Sequence, residues 1–223
     1  MTRDSATREH RSDSGARMGR MMRRETPWGA WDPASLSEAV AMFSTLRTPW
    51  WIAGGYAIEL AVGRPFRDHS DVDVLLLRRD QLAAHKALPS WELWAADPPG
   101  VLRPWTAGEI LPGTVHDVWC RPGPVDPWRV QVMLDESDGR DWISRRDQRV
   151  RMPIGEVGRV SAEGVPYLAP EVQLFYKAKR PRAKDEQDFG ETLPVLGPGR
   201  RRWLAEAISL AYGDHPWLAR LRG

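Results

Sequence analysis

The sequence has little cysteine and no long apolar segment. Its single cysteine, Cys120, cannot form an internal disulfide, and this is typical of proteins in reducing compartments. The nearest candidate for a membrane span, residues 50–62, is too short and carries Glu59. We therefore expect a cytoplasmic protein that does not span a membrane.

The sequence also has no large excess of one charge outside its N-terminal segment. Residues 1–24 hold seven arginines and three acidic residues, whereas the rest of the chain holds 25 basic and 27 acidic residues. This balance argues against nucleic-acid binding through bulk charge. Residues 1–24 also lack the apolar stretch of a secretory signal, and we expect residues 1–26 to form a disordered basic leader.

Two common catalytic fingerprints are absent. The sequence has neither the G-x-G-x-x-G pattern of dinucleotide-binding folds nor the G-x-S-x-G turn that carries a nucleophilic serine. Hydride transfer and acyl transfer are therefore disfavoured. The hydrophobic fraction of 42% and the charged fraction of 28% are ordinary for a globular protein, so the chain has enough apolar residues for a core.

The hydrophobic pattern predicts a mixed α/β half followed by a helical half. Strands are predicted at residues 50–53, 71–77, 91–95, 116–120 and 128–134. Helices are predicted at residues 36–46, 56–62, 80–88, 170–179, 184–190 and 201–212. The expected fold class is α+β, with a mixed sheet flanked by helices over residues 27–165 and a C-terminal helical region over residues 166–223.

Asp71 and Asp73 stand at the start of a predicted strand. Side chains two residues apart on a strand share a face, so both carboxylates are expected to point the same way. Their repulsion is costly beside an apolar strand unless a cation compensates for it. Divalent metal ions with oxygen ligands play this part in phosphoryl and nucleotidyl transfer. The pair is therefore a candidate catalytic and metal-binding site.

Gly54 and Gly55 form a predicted turn between a strand and a helix. A turn without Cβ atoms lets backbone N–H groups approach an anion, and the N-terminus of a helix favours negative charge. A phosphate-binding turn beside a metal-binding carboxylate pair is a coherent nucleotide site. Either feature alone would be a weak signal.

This segment resembles the nucleotidyltransferase superfamily that shares its fold with DNA polymerase β. Between Gly54 and Val74 the chain carries a G-G-Y-A-I helix start, a G-R-x-x-R-x-H loop and a D-V-D strand. Within the superfamily these motifs are most similar to those of the aminoglycoside 2″-adenylyltransferase and lincosamide nucleotidyltransferase group. The resemblance implies a nucleotidyltransferase fold for the catalytic half of the chain.

The resemblance also implies roles for individual residues. Asp71 and Asp73 would bind Mg²⁺, and the turn at Gly54 and Gly55 would hold the triphosphate of ATP or another nucleoside triphosphate. Two further residues match the loop motif and are implied to line the same cleft, namely Arg67 and His69.

The sequence departs from the family pattern at the third catalytic carboxylate. Such enzymes use a carboxylate on a later, antiparallel strand to bind metal and to help deprotonate the acceptor. The strand predicted at residues 128–134 has Gln131 at its centre, and an amide cannot act as a base. Asp117 on the neighbouring strand could replace it, as could Asp135, which shares strand parity with Gln131.

A second motif lies in the predicted helical half. Residues 176–189 resemble the K-x-[KA]…R-x-K-D-x-x-D-[LF] signature of nucleotidyltransferase-like proteins. Lys177 is expected to turn toward the cleft, where it could neutralise charge on the β- and γ-phosphates. Asp185 and Asp188, one helical turn apart, could orient that lysine or an arginine.

These features predict an enzyme that transfers a nucleoside monophosphate from a nucleoside triphosphate, with ATP favoured, to a hydroxyl acceptor. An aminoglycoside-type small molecule is the favoured acceptor, and an acidic pocket would support this class because aminoglycosides are polyamines. One alternative is a toxin-like enzyme acting on tRNA or protein, which a basic face at residues 177–184 and 200–202 would support. The other is a non-catalytic nucleotide-binding module, for which Gln131 would be the reason.

Overall fold

A large mixed sheet flanked by helices forms the centre of the fold in the computed structural model, which describes residues 23–223. The strands are β1 (Arg24–Thr26), β2 (Gly29–Trp31), β3 (Trp50–Ala53), β4 (Asp73–Leu77), β5 (Glu92–Ala96), β6 (Leu102–Pro104), β7 (Asp117–Arg121), β8 (Val130–Asp138), β9 (Asp141–Ile143), β10 (Arg151–Pro153), β11 (Gly158–Val160) and β12 (Pro166–Leu168). The α-helices are α1 (Leu36–Phe43), α2 (Gly54–Val62), α3 (Ala83–Ala87), α4 (Ile154–Val157), α5 (Pro170–Lys177), α6 (Ala183–Thr192), α7 (Pro198–Tyr212) and α8 (Trp217–Arg222).

The main sheet has the strand order β11-β12-β3-β4-β8-β7-β5-β6, and β9 and β10 extend it from β8. Strand β4 lies between β3, to which it is antiparallel, and β8, to which it is parallel. The expectation that the later strand is antiparallel to the strand of the aspartates is therefore wrong, although β8 is antiparallel to β7. The order places the start of β4 near the middle of the sheet.

The apolar pattern of β4 follows from its central position. Its residues after Asp73 are all fully buried, as expected for a strand with both faces covered. Helix α2 follows β3 without a connecting loop and ends at Gly63, which adopts a left-handed conformation. Helix α1 begins with a capping box between Ser35 and Glu38. These local signals fix where α1 begins and where α2 ends.

The C-terminal helices pack on the same part of the molecule. Helix α5 contacts α2 and α7, and α6 contacts both α2 and α5. Helix α2 therefore contacts both the sheet and the C-terminal helices α5 and α6. No helix within residues 23–223 has the length and apolar character needed to cross a bilayer.

Several boundaries differ from the sequence-based expectations. Residues 24–26, expected to end a disordered leader, form β1, which pairs with β2, while residues 1–22 lie outside the described part of the chain. The helix expected at residues 80–88 is a 3₁₀ turn at Arg78–Asp80 followed by the shorter α3. Residues 166–168, assigned to the helical region, form β12, which pairs with β3. Strands of three residues such as these carry too little periodicity to be recognised from sequence.

Candidate active site

The turn at Gly54 is held against the carboxylate of Asp73. Gly54 has a φ of 67°, and a Cβ atom at this position would overlap the Asp73 side chain. Its N–H donates a hydrogen bond of 2.8 Å to Oε1 of Gln173 on α5. A Cβ atom at Gly55 would overlap Arg67 and His69. Only glycine fits at both positions, because the backbone approaches charged side chains closely and Gly54 has a positive φ.

Replacing Gly54 with alanine is expected to lower the turnover of the reaction catalysed at this site by about 100-fold, because the added methyl group must displace the Asp73 carboxylate. Gly63→Ala is the matched control: its φ is 82°, but no atom lies within 4 Å of the added methyl group. The control should lose only the roughly 1–2 kcal/mol of a left-handed alanine and keep its turnover. Steady-state rates and thermal melts of both variants check this, and equal turnover in the two would contradict the close approach at Gly54.

Asp71 and Asp73 both line one cavity. Asp73 opens β4, whereas Asp71 lies two residues before the strand and not within it as expected. Burial, the largest cause, together with the charges of Asp71 and Asp117 raises the pKa of Asp73 to about 7, against the opposing effect of Lys177. A buried carboxylate whose charge is opposed by a second carboxylate lining the same cavity fits a hard divalent cation such as Mg²⁺.

The cavity has a volume of about 310 Å³ and a strongly cationic lining. Its lining contains three acidic residues, which are Asp71, Asp73 and Asp185, and seven basic residues, which are Arg67, Arg146, Lys177, Lys179, Arg180, Arg182 and Lys184. Four of the basic residues form no ion pair within residues 23–223, namely Arg146, Lys179, Arg180 and Lys184. An array of unpaired cations around a carboxylate pair is suited to a polyanion that arrives with a metal ion.

Arg67 and Lys177 are held in the cavity wall by one buried carboxylate. Asp188 is fully buried and accepts two hydrogen bonds from Arg67, of 2.7 and 3.0 Å. Nζ of Lys177 lies 2.8 Å from Asp188 and 3.2 Å from Asp185. The expectation that Asp185 and Asp188 orient Lys177 agrees with this arrangement. The network joins the loop after α2 to helices α5 and α6.

His69 lies beside the cavity wall and does not line the cavity. It is buried, stacks on Tyr56 with ring centres 4.0 Å apart, and places Nε2 3.0 Å from a carboxylate oxygen of Glu59. Its other ring nitrogen lies 3.2 Å from Nη1 of Arg67. The histidine therefore supports Arg67 and the Gly55 backbone from behind. Its predicted nucleotide contact remains a prediction that this geometry does not support.

Gln131 stands where the third carboxylate was expected, and the two candidates to replace it, Asp117 and Asp135, have different surroundings. Gln131 pairs with Asp73 across β4 and β8, so an amide stands beside the carboxylate pair, as expected. Its Nε2 donates a 3.0 Å hydrogen bond to Asp117 on β7. Within residues 23–223 no three His, Cys, Asp or Glu side chains come together as a metal-binding group. Asp117 is therefore near the pair without completing a three-carboxylate site.

Asp135 belongs to a separate buried network. It is fully buried and accepts hydrogen bonds from Tyr176 (2.7 Å) and Trp142 (2.8 Å), with Arg145 3.7 Å away. Burial raises its pKa, while Arg145 and the two hydrogen bonds oppose the rise. Along β8 it lies four residues from Gln131, or about 13 Å, so it supports Tyr176 and α5 and does not face the aspartate pair.

Some cavity residues were not predicted as site residues. Gln173 and Tyr176 line the cavity together with Lys177, and their spacing of one helical turn on α5 was the available signal. Arg146 lines the cavity from the loop after β9, whereas its neighbour Arg145 faces Asp135. Sequence alone could not separate these two arginines, because their roles depend on where the loop crosses α5.

Known proteins resemble the chain both in sequence and in fold. Residues 35–90, about a quarter of the chain, match the family described as aminoglycoside-2''-adenylyltransferase. The crystal structure of ANT(2")-Ia in complex with adenylyl-2"-tobramycin has 15% sequence identity and a TM-score of 0.50, with 78% of this chain and 95% of that chain covered. The chain has a nucleotidyltransferase fold.

Two further structures share the nucleotidyltransferase fold. The lincomycin-bound lincosamide antibiotic adenylyltransferase LnuA has 12% identity and a TM-score of 0.50, with 72% of this chain and 96% of that chain covered. The solution structure of the antibiotic-resistance factor ANT(2'')-Ia has 16% identity and a TM-score of 0.51, with 78% and 88% covered. No curated protein matches the sequence.

These findings confirm the predicted fold class and the predicted resemblance to the aminoglycoside and lincosamide group. The matching family consists of adenylyltransferases, which are enzymes. The match therefore bears out the prediction of a nucleotidyltransferase-type enzyme. The matched segment contains Gly54, Gly55, Asp71 and Asp73, the residues that meet at the cavity.

Proposed function

We propose that this chain transfers a nucleoside monophosphate from a nucleoside triphosphate to a hydroxyl group of a small, antibiotic-like acceptor. The observation that carries the proposal is the carboxylate pair, Asp71 and Asp73, facing a cavity whose other charged groups are mostly cations. The carboxylates fit a divalent cation and the cations fit a triphosphate. ATP is the favoured donor because the matching family and two of the similar structures are adenylyltransferases.

In the proposed reaction the acceptor oxygen attacks the α-phosphorus, and the bond from that phosphorus to the bridging oxygen of pyrophosphate breaks. Mg²⁺ bound to Asp71 and Asp73 would supply positive charge to the phosphate oxygens. Lys177 and Lys184 lie in the cavity wall, where they would bind the phosphates and stabilise the charge that develops on the departing pyrophosphate. Asp188 and Asp185 would keep Lys177 in place.

The acceptor hydroxyl must also lose a proton. We propose Asp117 as the group that receives it, because Asp117 lies close enough to Asp73 to raise the pKa of that carboxyl. Gln131 donates a hydrogen bond to Asp117 and would hold it toward the acceptor without acting as a base. Use of ATP, and a single buried cysteine, would suit a cytoplasmic enzyme.

The proposal is tested by pyrophosphate release with each of the four nucleoside triphosphates and Mg²⁺. The acceptors are tobramycin, lincomycin and bulk tRNA, and an Asp71→Asn/Asp73→Asn variant is the control. We expect release that requires one of the small molecules and vanishes in the control. Nucleotide binding by calorimetry without release from any acceptor would instead favour a nucleotide-binding module, the function that Gln131 beside Asp73 supports as a second candidate.

A further inference from the structure

A second hydrophobic cluster, separate from the main core and rich in tryptophan, lies on one face of the sheet at strands β5 and β7. Trp31 and Trp128 are buried in this cluster, while Trp94 and Trp119 are only partly buried. The ring centres of Trp31 and Trp119 are 4.9 Å apart, and those of Trp119 and Trp128 are 5.7 Å apart. Both buried rings therefore pack against Trp119.

The register places this cluster in line with the aspartate pair. Asp73 pairs with Gln131, Gln131 with Trp119, and Trp119 with Trp94. Directly paired residues share a face of a sheet, so these four side chains form one row. With neighbouring strands about 4.8 Å apart, the backbone of Trp119 lies roughly 10 Å from that of Asp73. The row leads from the proposed reaction centre to the partly exposed indoles.

The strands that carry the indoles are fully covered on one face and partly covered on the other. Along β5 and β7 every second residue is buried, and the residues between them, which include Trp94, Trp119 and Asp117, are partly exposed. Such alternation marks one face packed on the core and one face that keeps contact with solvent. We call the partly exposed face at Trp94, Trp119 and Asp117 the tryptophan shelf.

The tryptophan shelf has little negative charge to offer a polycation. Glu92, on the same face, is neutralised by Arg121, whose Nε lies 2.8 Å from its carboxylate. Asp117 accepts a hydrogen bond from the neutral amide of Gln131 and forms no ion pair within residues 23–223. The shelf therefore presents two partly exposed indoles and one carboxylate without an ion pair, and the guanidinium of Arg121 lies 5.5 Å from the ring centre of Trp94. The cavity next to it is cationic, which further disfavours a polyamine.

We infer that the tryptophan shelf is the acceptor site and that it selects a hydroxylated ring compound with an apolar face and few positive charges. This inference rests on the proposed nucleotidyl transfer and narrows the acceptor class expected from the sequence. The indoles of Trp94 and Trp119 pack against the apolar face of the acceptor. Asp117 binds the acceptor hydroxyl or a single amino group. The acceptor then extends along the row toward Asp73.

A direct test is the effect of two acceptor probes on the indole N–H resonances of ¹⁵N-labelled protein. Lincomycin, with an alkyl-substituted ring system and few amines, represents the expected class, and tobramycin represents polyamines. The resonances of Trp94 and Trp119 are assigned from Trp→Phe variants. We expect lincomycin to shift them at concentrations where tobramycin does not, and Trp203 on α7 to stay unchanged. No shift at either shelf tryptophan with either probe would overturn the inference.

A kinetic test separates this inference from the proposed function. In Trp119→Leu and Trp94→Leu we expect the KM for lincomycin to rise about tenfold, with the KM for ATP within about twofold of wild type. Trp203→Phe, on α7 and outside the tryptophan cluster, is the matched control and should leave both KM values unchanged. If the acceptor KM is unchanged in the shelf variants while pyrophosphate release is intact, the inference that the shelf binds the acceptor is overturned.

If the wild-type protein neither binds ATP nor releases pyrophosphate, the proposed function is overturned instead. The indole shifts would then still decide where the acceptor binds.

Discussion

Asp73→Asn is expected to lower nucleotidyl transfer by about three orders of magnitude while raising the melting temperature of the metal-free protein. The loss of rate follows from the proposed function, in which Asp73 is one of the two carboxylates that would hold the divalent cation, a contribution of several kcal/mol. The gain in stability follows because burial and the charges of Asp71 and Asp117 disfavour the charge that Asp73 carries at pH 8. Asparagine at this position carries no charge. An increase of at least about 2 °C in EDTA is expected.

The pH dependence gives this prediction a sign that can be checked. The folded-state pKa of Asp73 is raised from 3.8 to about 7. The charged Asp73 therefore lowers the folding stability fully above pH 7, and this loss of stability is relieved as the pH falls from 7 toward 4. The difference in melting temperature between the variant and the wild type should shrink over that range. Asp126→Asn, a change on the exposed loop before β8, is the control and should alter neither rate nor melting temperature. A variant that is inactive and also less stable would mean that Asp73 has a structural role.

Asp188→Asn is expected to lower the melting temperature by about 10 °C and to weaken nucleotide binding. Asp188 is fully buried and pairs with both Arg67 and Lys177, whose side chains are 11% and 8% exposed. Removing the shared anion leaves two poorly solvated cations facing each other, and breaking a buried pair in this way costs about 3–5 kcal/mol. For a chain of this length each kcal/mol corresponds to about 2–4 °C.

The matched control for Asp188 is an aspartate in an exposed ion pair. Asp138 lies 3.4 Å from Arg151, and their side chains are 76% and 45% exposed. Asp138→Asn should change the melting temperature by less than about 2 °C, because exposed pairs contribute little. Thermal melts with and without ATP measure both variants. Equal shifts in the two variants would contradict the view that Asp188 holds the cavity wall together.

The sequence was most informative where several constraints fall on adjacent residues. Gly54 and Asp73 could be predicted as parts of one site because the glycine turn and the carboxylate pair each require unusual residues at a fixed spacing. Lys177 and its two aspartates could be predicted because helical periodicity brings residues one turn apart to the same side. The structure adds that the Asp73 carboxylate leaves no room for a Cβ atom at Gly54.

Features that depend on how distant strands pair could not be predicted in the same way. The parallel pairing of β4 with β8 and the row from Asp73 to Trp119 are set by strand order, which no local pattern encodes. His69 fits the loop motif, yet its ring is buried against Glu59 and Tyr56. The sequence pattern predicts that the tryptophans in the strands are core residues. Only the strand register reveals that Trp94 and Trp119 share a face of the sheet with Asp73.

The most direct test of the central claim is mass spectrometry of the acceptor after incubation with ATP, Mg²⁺ and the enzyme. We expect lincomycin to gain one adenylyl group in the presence of the wild-type protein and to remain unmodified with Asp71→Asn/Asp73→Asn. An adenylylated product that forms equally with the double variant would contradict the role of the carboxylate pair. ATP bound in the cavity with no modified product from any acceptor in the panel would contradict nucleotidyl transfer itself.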